Sequence, residues 1–307
     1  MDFGKVPHAA LDAIDFSLPA EPPENARVLS GAAPPVVRLY VGATGYNMKA
    51  WVGRWYPAGT PESRFLACYG QQFNAIEHNT THYRIPEPNL VTHWRNAVPE
   101  DFRFCPKIPQ LISHARRLSE AQSSMERFCE IIVGLENRLG CCFLQLPPYF
   151  GPERLRELEH FLIVFSNRIP LAVEVRHPAF FSQKEAQQAL FNLLRAHQVT
   201  AVITDVAGRR DVCHGHLTTR RTIIRFVGNA LHPTDFTRTQ AWAERLAYWV
   251  HAGLEEAYFF CHEPDNLLAP ELAAFAVEAF RKHIPHAGLR GPIPRASLSG
   301  GQIDLFE

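Results

Sequence analysis

LAVEVRHP, residues 171–178, is a short apolar run carrying one charge of each sign, Glu174 and Arg176, and after three residues it gives way to SQKEAQQALFNLLRAHQ, residues 182–198. The first stretch reads as a buried strand, and a side-chain period of two sends Glu174 and Arg176 to the same side of it. In the second, Ala186, Leu190 and Leu194 recur at helical spacing among polar residues, the pattern of a helix with one buried face. An apolar strand followed by an amphipathic helix is the unit of a parallel sheet covered by helices.

The unit recurs about eight times. VVRLYVGATG (36–45) precedes PESRFLACYGQQF (61–73), NAIEHN (74–79) precedes PEPNLVTHWRNAV (86–98), and FRFCPKIP (102–109) precedes SEAQSSMERFCEIIVGLENRL (119–139). CCFLQLPP (141–148) is followed by PERLRELEHFLIVFSNR (152–168), TIIRFVG (222–228) by DFTRTQAWAERLAYWVHAG (235–253), and AYFFCHEP (257–264) by APELAAFAVEAFRKHI (269–284). After VTAVITDV (199–206) the polar stretch AGRRDVCHGHLTTRR (207–221) stands in place of a helix, so the sixth helix is expected to be reduced. Eight units predict an α/β fold of the TIM type, a closed (β/α)8 barrel, rather than an open doubly wound sheet. The missing Gly-x-Gly-x-x-Gly after the first strand points the same way.

Outside the barrel, expected over 36–286, residues 1–35 are rich in Pro and Ala and predict an extended N-terminal arm, while 287–307 predict a flexible tail. Lys and Arg, 31 together, balance 31 Asp and Glu, so no net field draws nucleic acid to the whole surface and any basic site is local. Seven cysteines, with Cys141 and Cys142 adjacent and no C-x-x-C, fit reduced thiols and a cytoplasmic location. No stretch has the length and apolarity of a membrane span, and the first residues do not read as a signal peptide.

A barrel carries its chemistry at the carboxyl ends of its strands. Those ends collect Thr44 and Tyr46, Glu77 and Asn79, Lys107, Gln145, Glu174 with Arg176 and His177, Asp205, Arg225, and His262 with Glu263. A charge directed into a barrel is costly unless paired, so one reading is a structural ion pair plugging the mouth. The functional reading is a pocket in which Lys107, Arg176 and Arg225 clamp an anionic ligand while Glu77, Glu174 and Asp205 serve as acid/base groups or metal ligands. Thr44, Tyr46, Asn79, Gln145 and His177 would line the same site. His78 with His82, and Cys213 with His214 and His216, offer metal-ligand residue types. On a strand, however, 78 and 82 share a face opposite to that of Glu77 and Asn79, so they are not expected in the same pocket. A divalent metal stays open as a cofactor, without a dedicated ligand motif. No Gly-x-Ser-x-Gly elbow or Walker loop is present, which leaves serine acyl transfer and P-loop chemistry without support. Tyr46, Trp51, Trp55 and Tyr56 cluster after the first strand, as core or lid packing or as a stacking surface beside an anion site.

These motifs resemble the YecE-like family, domain of unknown function 72. VGATGYNMKAWVGRWYP is similar to the family's G-T-S-G-W and W-x-G-x-F-Y-P segment, FNAIEHNTTHYRIPEP to its F-x-x-V-E-x-N-x-T-F-Y-R-x-P, and FLQLPPYF and LAVEVRHPAFF to its Q-L-P-P-x-F and E-x-R-H-x-x-W. The resemblance runs in order from about Val41 to Asp205 and implies a TIM-type barrel. It also implies that the family keeps Glu77, Asn79, Tyr83, Arg84, Lys107, Gln145, Glu174, Arg176, His177 and Asp205 in its motifs, which adds Tyr83 and Arg84 to the ligand-binding candidates. Ala43, Tyr46 and His82 depart from the family pattern, and CHEP (261–264) replaces an F-N-N-like ending of the last strand. The family's barrel has been likened to that of endonuclease IV, but no trinuclear His/Asp/Glu set stands at the strand ends here, so zinc-dependent phosphodiester cleavage does not carry over.

The chain closes with GGQIDLFE, in which Gln302-Ile303-Asp304-Leu305-Phe306 resembles the Q-L-[S/D]-L-F pentapeptide that docks bacterial replication and repair proteins on the DNA sliding clamp. In that reading Leu305 and Phe306 fill an apolar cleft of the clamp and Gln302 hydrogen-bonds at its rim. The alternative is a tail folded back on the barrel. Three functions follow: a clamp-tethered barrel binding a phosphate-bearing nucleic acid or nucleotide in replication or repair; a small-molecule enzyme, a hydrolase, lyase or isomerase on a phosphorylated or acidic metabolite; and a non-catalytic adaptor.

Overall fold

Eight parallel strands form the centre of the computed structural model, which describes residues 3–31, 36–165 and 167–295. They are β1 (Arg38–Ala43), β2 (Ala75–His78), β3 (Arg103–Pro106), β4 (Cys142–Gln145), β5 (Leu171–Glu174), β6 (Thr200–Asp205), β7 (Arg221–Val227) and β8 (Glu256–His262). Their spatial order is β3-β2-β1-β8-β7-β6-β5-β4. The remaining seam, between β3 and β4, is joined by parallel bridges of Phe104 with Leu139 and Lys107 with Phe143. There Gly140 N–H donates to Phe104 O at 2.7 Å and Ile108 N–H to Phe143 O at 2.9 Å, so the sheet closes into the expected TIM-type barrel.

Among the described residues seven principal helices alternate with the strands: Phe65–Gln72, Pro88–Ala97, Gln122–Ile132, Leu155–Phe165, Lys184–Ala196, Pro233–Ala252 and Ala269–His283. After β6 only a 3-10 turn, Arg210–Val212, is present, as the polar stretch at 207–221 predicts. Helix Lys184–Ala196 shows why the amphipathic runs fold as they do. It buries Ala186, Leu190, Phe191 and Leu194 along one stripe, and each large side chain removed from water contributes about 1.5–3 kcal/mol.

The pleat divides each strand between two cores. Tyr40, Ala75, Cys105, Phe143, Ala172, Val202, Ile223, Tyr258 and Phe260 fill the barrel interior. The alternate residues face the helices in the larger outer core. Counting two residues along from the interior layer reaches Glu77, Lys107, Gln145, Glu174, Thr204, Arg225 and His262, all directed to the mouth by the same period.

Residues 3–31, expected as an extended arm, lie against the barrel instead. Leu11, on a 3-10 helix His8–Ala13, is 1% exposed, and Asn25 is fully buried, its Nδ2 donating to Gly215 O and its Oδ1 accepting from Leu217 N. Gly208 N–H donates to Gly4 O at 2.8 Å. Gly4 has φ +69°, and a Cβ there would stand 2.8 Å from Val206, so both backbone and space call for glycine. Three or four anchors widely spaced in a Pro/Ala-rich stretch leave little periodic signal. At the other end, Arg290 reaches Asp101 at 2.6 Å and the Phe73 carbonyl at 3.1 Å, and Arg295 N–H donates to Arg54 O, so 287–295 also run along the barrel surface. The tail candidates Gln302, Leu305 and Phe306 lie outside the described residues. Among the described residues no helix is long and apolar enough to cross a membrane.

Candidate functional site at the barrel mouth

Arg225, from β7, is the hub of the mouth. Its Nε and Nη2 donate to Oε2 and Oε1 of Glu77, each at 2.8 Å, and its Nη1 donates to Glu174 Oε2 at 2.8 Å. Glu174 Oε2 also accepts from Gln145 Nε2, and Oε1 from Arg176 Nε, both at 2.8 Å. Glu77 Oε1 accepts from Asn79 Nδ2 at 3.0 Å and its Oε2 contacts His262 Nε2 at 2.9 Å. Both carboxylates are buried, which on its own favours their neutral forms; the adjoining charges prevail, holding Glu77 well below the usual range and Glu174 at about 2. They are ionised, Glu77 with four contacts to its two oxygens and Glu174 with three.

Lys107, immediately after β3, is 9% exposed and has no carboxylate within 4.0 Å among the described residues. Burial, and then the guanidinium of Arg225, pushes its amine down to about 8. In the network itself three cations, Lys107, Arg176 and Arg225, thus stand against two carboxylates, while the exposed Lys5 and Asp265 add one charge of each sign to the cavity lining. His262 is held in one tautomer: the ionised Glu77 accepts from Nε2–H, which leaves Nδ1 as the basic nitrogen. Burial lowers its proton affinity, so the ring is neutral.

Glu263 leaves the strand in the opposite sense and packs against Gly228, where a Cβ would fall 2.2 Å from Oε1. Its Oε2 accepts from Ala230 N–H at 2.8 Å, whereas Oε1 is buried with no hydrogen-bond partner among the described residues. Burial, then the charge of Asp235, raises its carboxyl to about 8, so a neutral acid sits at the mouth.

Above these groups lies a cavity of about 780 Å3. Arg225, Lys107, His262, Glu263, Asn79, Thr44, His82, Tyr83 and Asn229 line it from the barrel, and Phe3, Gly4, Lys5, Val6, Pro7, His8 and Leu11 from the N-terminal segment. Phe3 stacks on the guanidinium of Arg176 at 4.1 Å and faces that of Arg209 at 5.2 Å.

The sequence candidates divide accordingly. Thr44, Asn79, Tyr83, Lys107 and Arg225 line the cavity, with Thr44 Oγ1 donating to Asn266 at 2.6 Å. Glu77, Gln145, Glu174 and Arg176 belong to the ion network joined to Arg225. Tyr46 stacks on His78 away from the cavity, Arg84 is exposed and does not line it, and His177 accepts from Ala179 N–H at the start of a short helix. Asp205 is not brought to the mouth. Its parity is opposite to that of Val202 and Thr204, and it faces outward to Arg238 Nη1 at 3.0 Å, Trp242 Nε1 at 2.8 Å and Arg210. His78 faces outward between Trp94 and Phe104, as parity predicts. His82 does not follow that expectation, because Thr80–Tyr83 is a helical turn and the turn brings it to the cavity. His214 and His216 pack on Phe191. Among the described residues no group of three or more His, Cys, Asp or Glu is arranged to hold a metal ion. His262 and Glu263, collected at a strand end but given no role, prove central; the Glu77 partner of one and the Gly228 seat of the other are long-range features.

The fold and its polar mouth define a TIM-type barrel with a buried strand-end ion network. The chain belongs to the family described as protein of unknown function DUF72, whose profile matches residues 40–297. It is 34% identical over 277 positions to the UPF0759 protein YecE of Escherichia coli K12, an alignment covering 84% of this chain and 98% of that one. A crystal structure of a DUF72 family protein from Enterococcus faecalis V583 superposes with TM-score 0.59 at 19% identity, covering 81% of this chain and 98% of the other. One from Thermotoga maritima MSB8 gives 0.56 at 23% identity, covering 81% and 99%. The segment 3–11 that walls the cavity precedes the matched region.

Proposed function

We propose that the barrel mouth binds a small phosphate- or carboxylate-bearing molecule of about mononucleotide size. One observation carries this reading: Lys107 is a buried cation facing a cavity beside which the two buried carboxylates, Glu77 and Glu174, are already engaged by Arg225, Arg176, Gln145, Asn79 and His262, while the lining Asp265 is exposed to water. A buried, unmatched charge is unfavourable, and an anionic ligand relieves it. The volume is in the range of small-molecule sites, and the N-terminal wall favours such a ligand, or a single extruded nucleotide, over a duplex lying across the mouth. In this reading Glu77 and Glu174 hold Arg225 and His262 in place, while His262 Nδ1 and Glu263 supply a base and an acid.

The test is a thermal-shift and calorimetric series with inorganic phosphate, nucleotides and phosphorylated sugars. A ligand at one hundred times its Kd stabilises by about 2.7 kcal/mol. Binding that weakens at least tenfold in Lys107→Met supports the site, and a series in which no anion binds overturns it. The C-terminal pentapeptide supports a second, separable element of the proposal, attachment to a DNA sliding clamp, which would localise the barrel without a basic surface.

A further inference from the structure

We propose that Lys107 is an imine-forming amine, condensing with the carbonyl of an aldehyde or ketone that also carries the anionic group bound at the mouth. The inference rests on the anion-site reading above and adds a reaction to it.

The geometry singles this amine out. The Lys107 backbone is fixed on both sides, its N–H donating to His78 O at 3.2 Å and its carbonyl accepting from Thr81 Oγ1 at 2.8 Å, so the side chain starts from a rigid base. It lies at the cavity, within the influence of the Arg225 and Arg176 guanidinium groups, without an ion-pair partner among the described residues. A lysine that is desolvated and placed beside other cations sheds its proton readily, and the free amine is the nucleophile. The chain's other four lysines, Lys5, Lys49, Lys184 and Lys282, are exposed; Lys5 also lines the cavity but is solvated, and Lys49 is paired with Glu62 at 2.7 Å.

The condensation balances with the groups present. The Nζ lone pair adds to the carbonyl carbon, and the carbonyl oxygen becomes a hydroxyl by taking a proton from Glu263, a neutral acid on the same cavity. The nitrogen returns a proton to Glu263. Loss of the hydroxyl with a second nitrogen proton forms C=N and releases one water, so two amine hydrogens and the carbonyl oxygen leave together and no oxidant or reductant is consumed.

The test incubates the full chain with glyceraldehyde 3-phosphate and cyanoborohydride and maps the reduced adduct by peptide mass spectrometry. Labelling of Lys107 at least tenfold faster than of any other lysine, rising between pH 7 and 9 and slowed by inorganic phosphate, is the expected result. Lys107→Arg, which keeps the charge but forms no stable imine, should bind inorganic phosphate and show no adduct at that position. Glu263→Gln should slow labelling about tenfold while still binding phosphate. Adducts spread evenly over the five lysines, or an unlabelled Lys107 in protein that binds phosphate, overturn the imine proposal alone. Rapid labelling of Lys107 in protein that phosphate neither binds nor protects overturns the anion site and leaves the amine chemistry standing.

Discussion

Arg225 and Glu77 meet edge to edge across the barrel, Nε to Oε2 and Nη2 to Oε1 at 2.8 Å each, with side-chain exposures of 1% and 0%. Two ions withdrawn from water must recover their hydration from each other, and here they do so with two parallel hydrogen bonds and further partners on the remaining lone pairs. Removing one partner leaves the other buried and unmatched. Glu77→Gln or Arg225→Met alone is therefore expected to lower stability by about 3–5 kcal/mol, and the double substitution by less than the sum. Denaturant unfolding of the four proteins of the cycle measures this; additive losses would show that the pair is not coupled.

Lys107 makes the opposite prediction. Its amine lies at about 8 in the folded chain against an ordinary 10.5, so the native state disfavours the proton that the unfolded chain keeps. The penalty is present in full below pH 8 and fades as pH rises toward 10.5. Lys107→Met should stabilise the ligand-free protein at pH 7 by about 1–3 kcal/mol, or about 2–6 °C in Tm, and should gain little at pH 10. A lower Tm at pH 7 would mean the charge is already compensated.

How much of this site was legible in the sequence follows from how far the pleat runs. Glu174 and Arg176 in LAVEVRHP, and Glu77 and Asn79 in NAIEHN, point inward by simple alternation, and the structure places them as counted. Asp205 is the last residue of its strand but has outward parity; counting from Val202 would have selected Thr204. Past the strand ends alternation loses its force: His82 turns inward on a helical turn, and Glu263 folds onto a glycine 35 positions earlier in the chain. The N-terminal wall was hidden for another reason, because its anchors, Phe3, Gly4 and Leu11, act by cation–π stacking, a backbone bond and one apolar contact, none of them periodic.

That wall can be loosened at one residue. Phe3 over Arg176 and Arg209 contributes about 0.5–2 kcal/mol by cation–π attraction. Phe3→Ala is expected to increase the opening of residues 3–11 about threefold to tenfold, read as faster amide exchange there, and to weaken anion binding without a comparable loss of global stability. Unchanged exchange would show that Gly4 and Leu11 alone hold the segment.

Acid should unfold the chain through its histidines. Burial pushes His78 and His214 down to about 3 and His82 and His216 to about 4, so all four stay neutral in the fold while the unfolded chain protonates them near 6.5. The stability they protect is intact above pH 6.5 and falls as pH drops below it. Glu263 acts in the other direction, holding its proton in the fold between about 4.5 and 8. Near pH 5 the protons gained by these rings on unfolding outnumber the one Glu263 releases, so stability falls as pH drops. Tm measured from pH 7 to 5 should fall steeply, and His78→Phe should make the fall shallower; a flat profile would place these rings in contact with water.

The tail offers a prediction that depends on none of the barrel's chemistry. Leu305 and Phe306 are two large apolar side chains in the last three residues, after the Gly-Ser-rich SLSGG, with Gln302 three positions before Leu305. Burying both in a cleft contributes about 1.5–3 kcal/mol each before ordering is counted, which sets the expected affinity for a sliding clamp in the micromolar range. A fluorescent peptide of residues 296–307 titrated with a bacterial clamp should show that affinity in anisotropy, and Leu305→Ala with Phe306→Ala should remove it. Because the motif lies after the region matched by the family profile, binding by the full chain should equal that of the peptide, and Lys107→Met should not alter it. Binding undiminished by the double alanine change, or none at high micromolar clamp, would leave the tail without this partner.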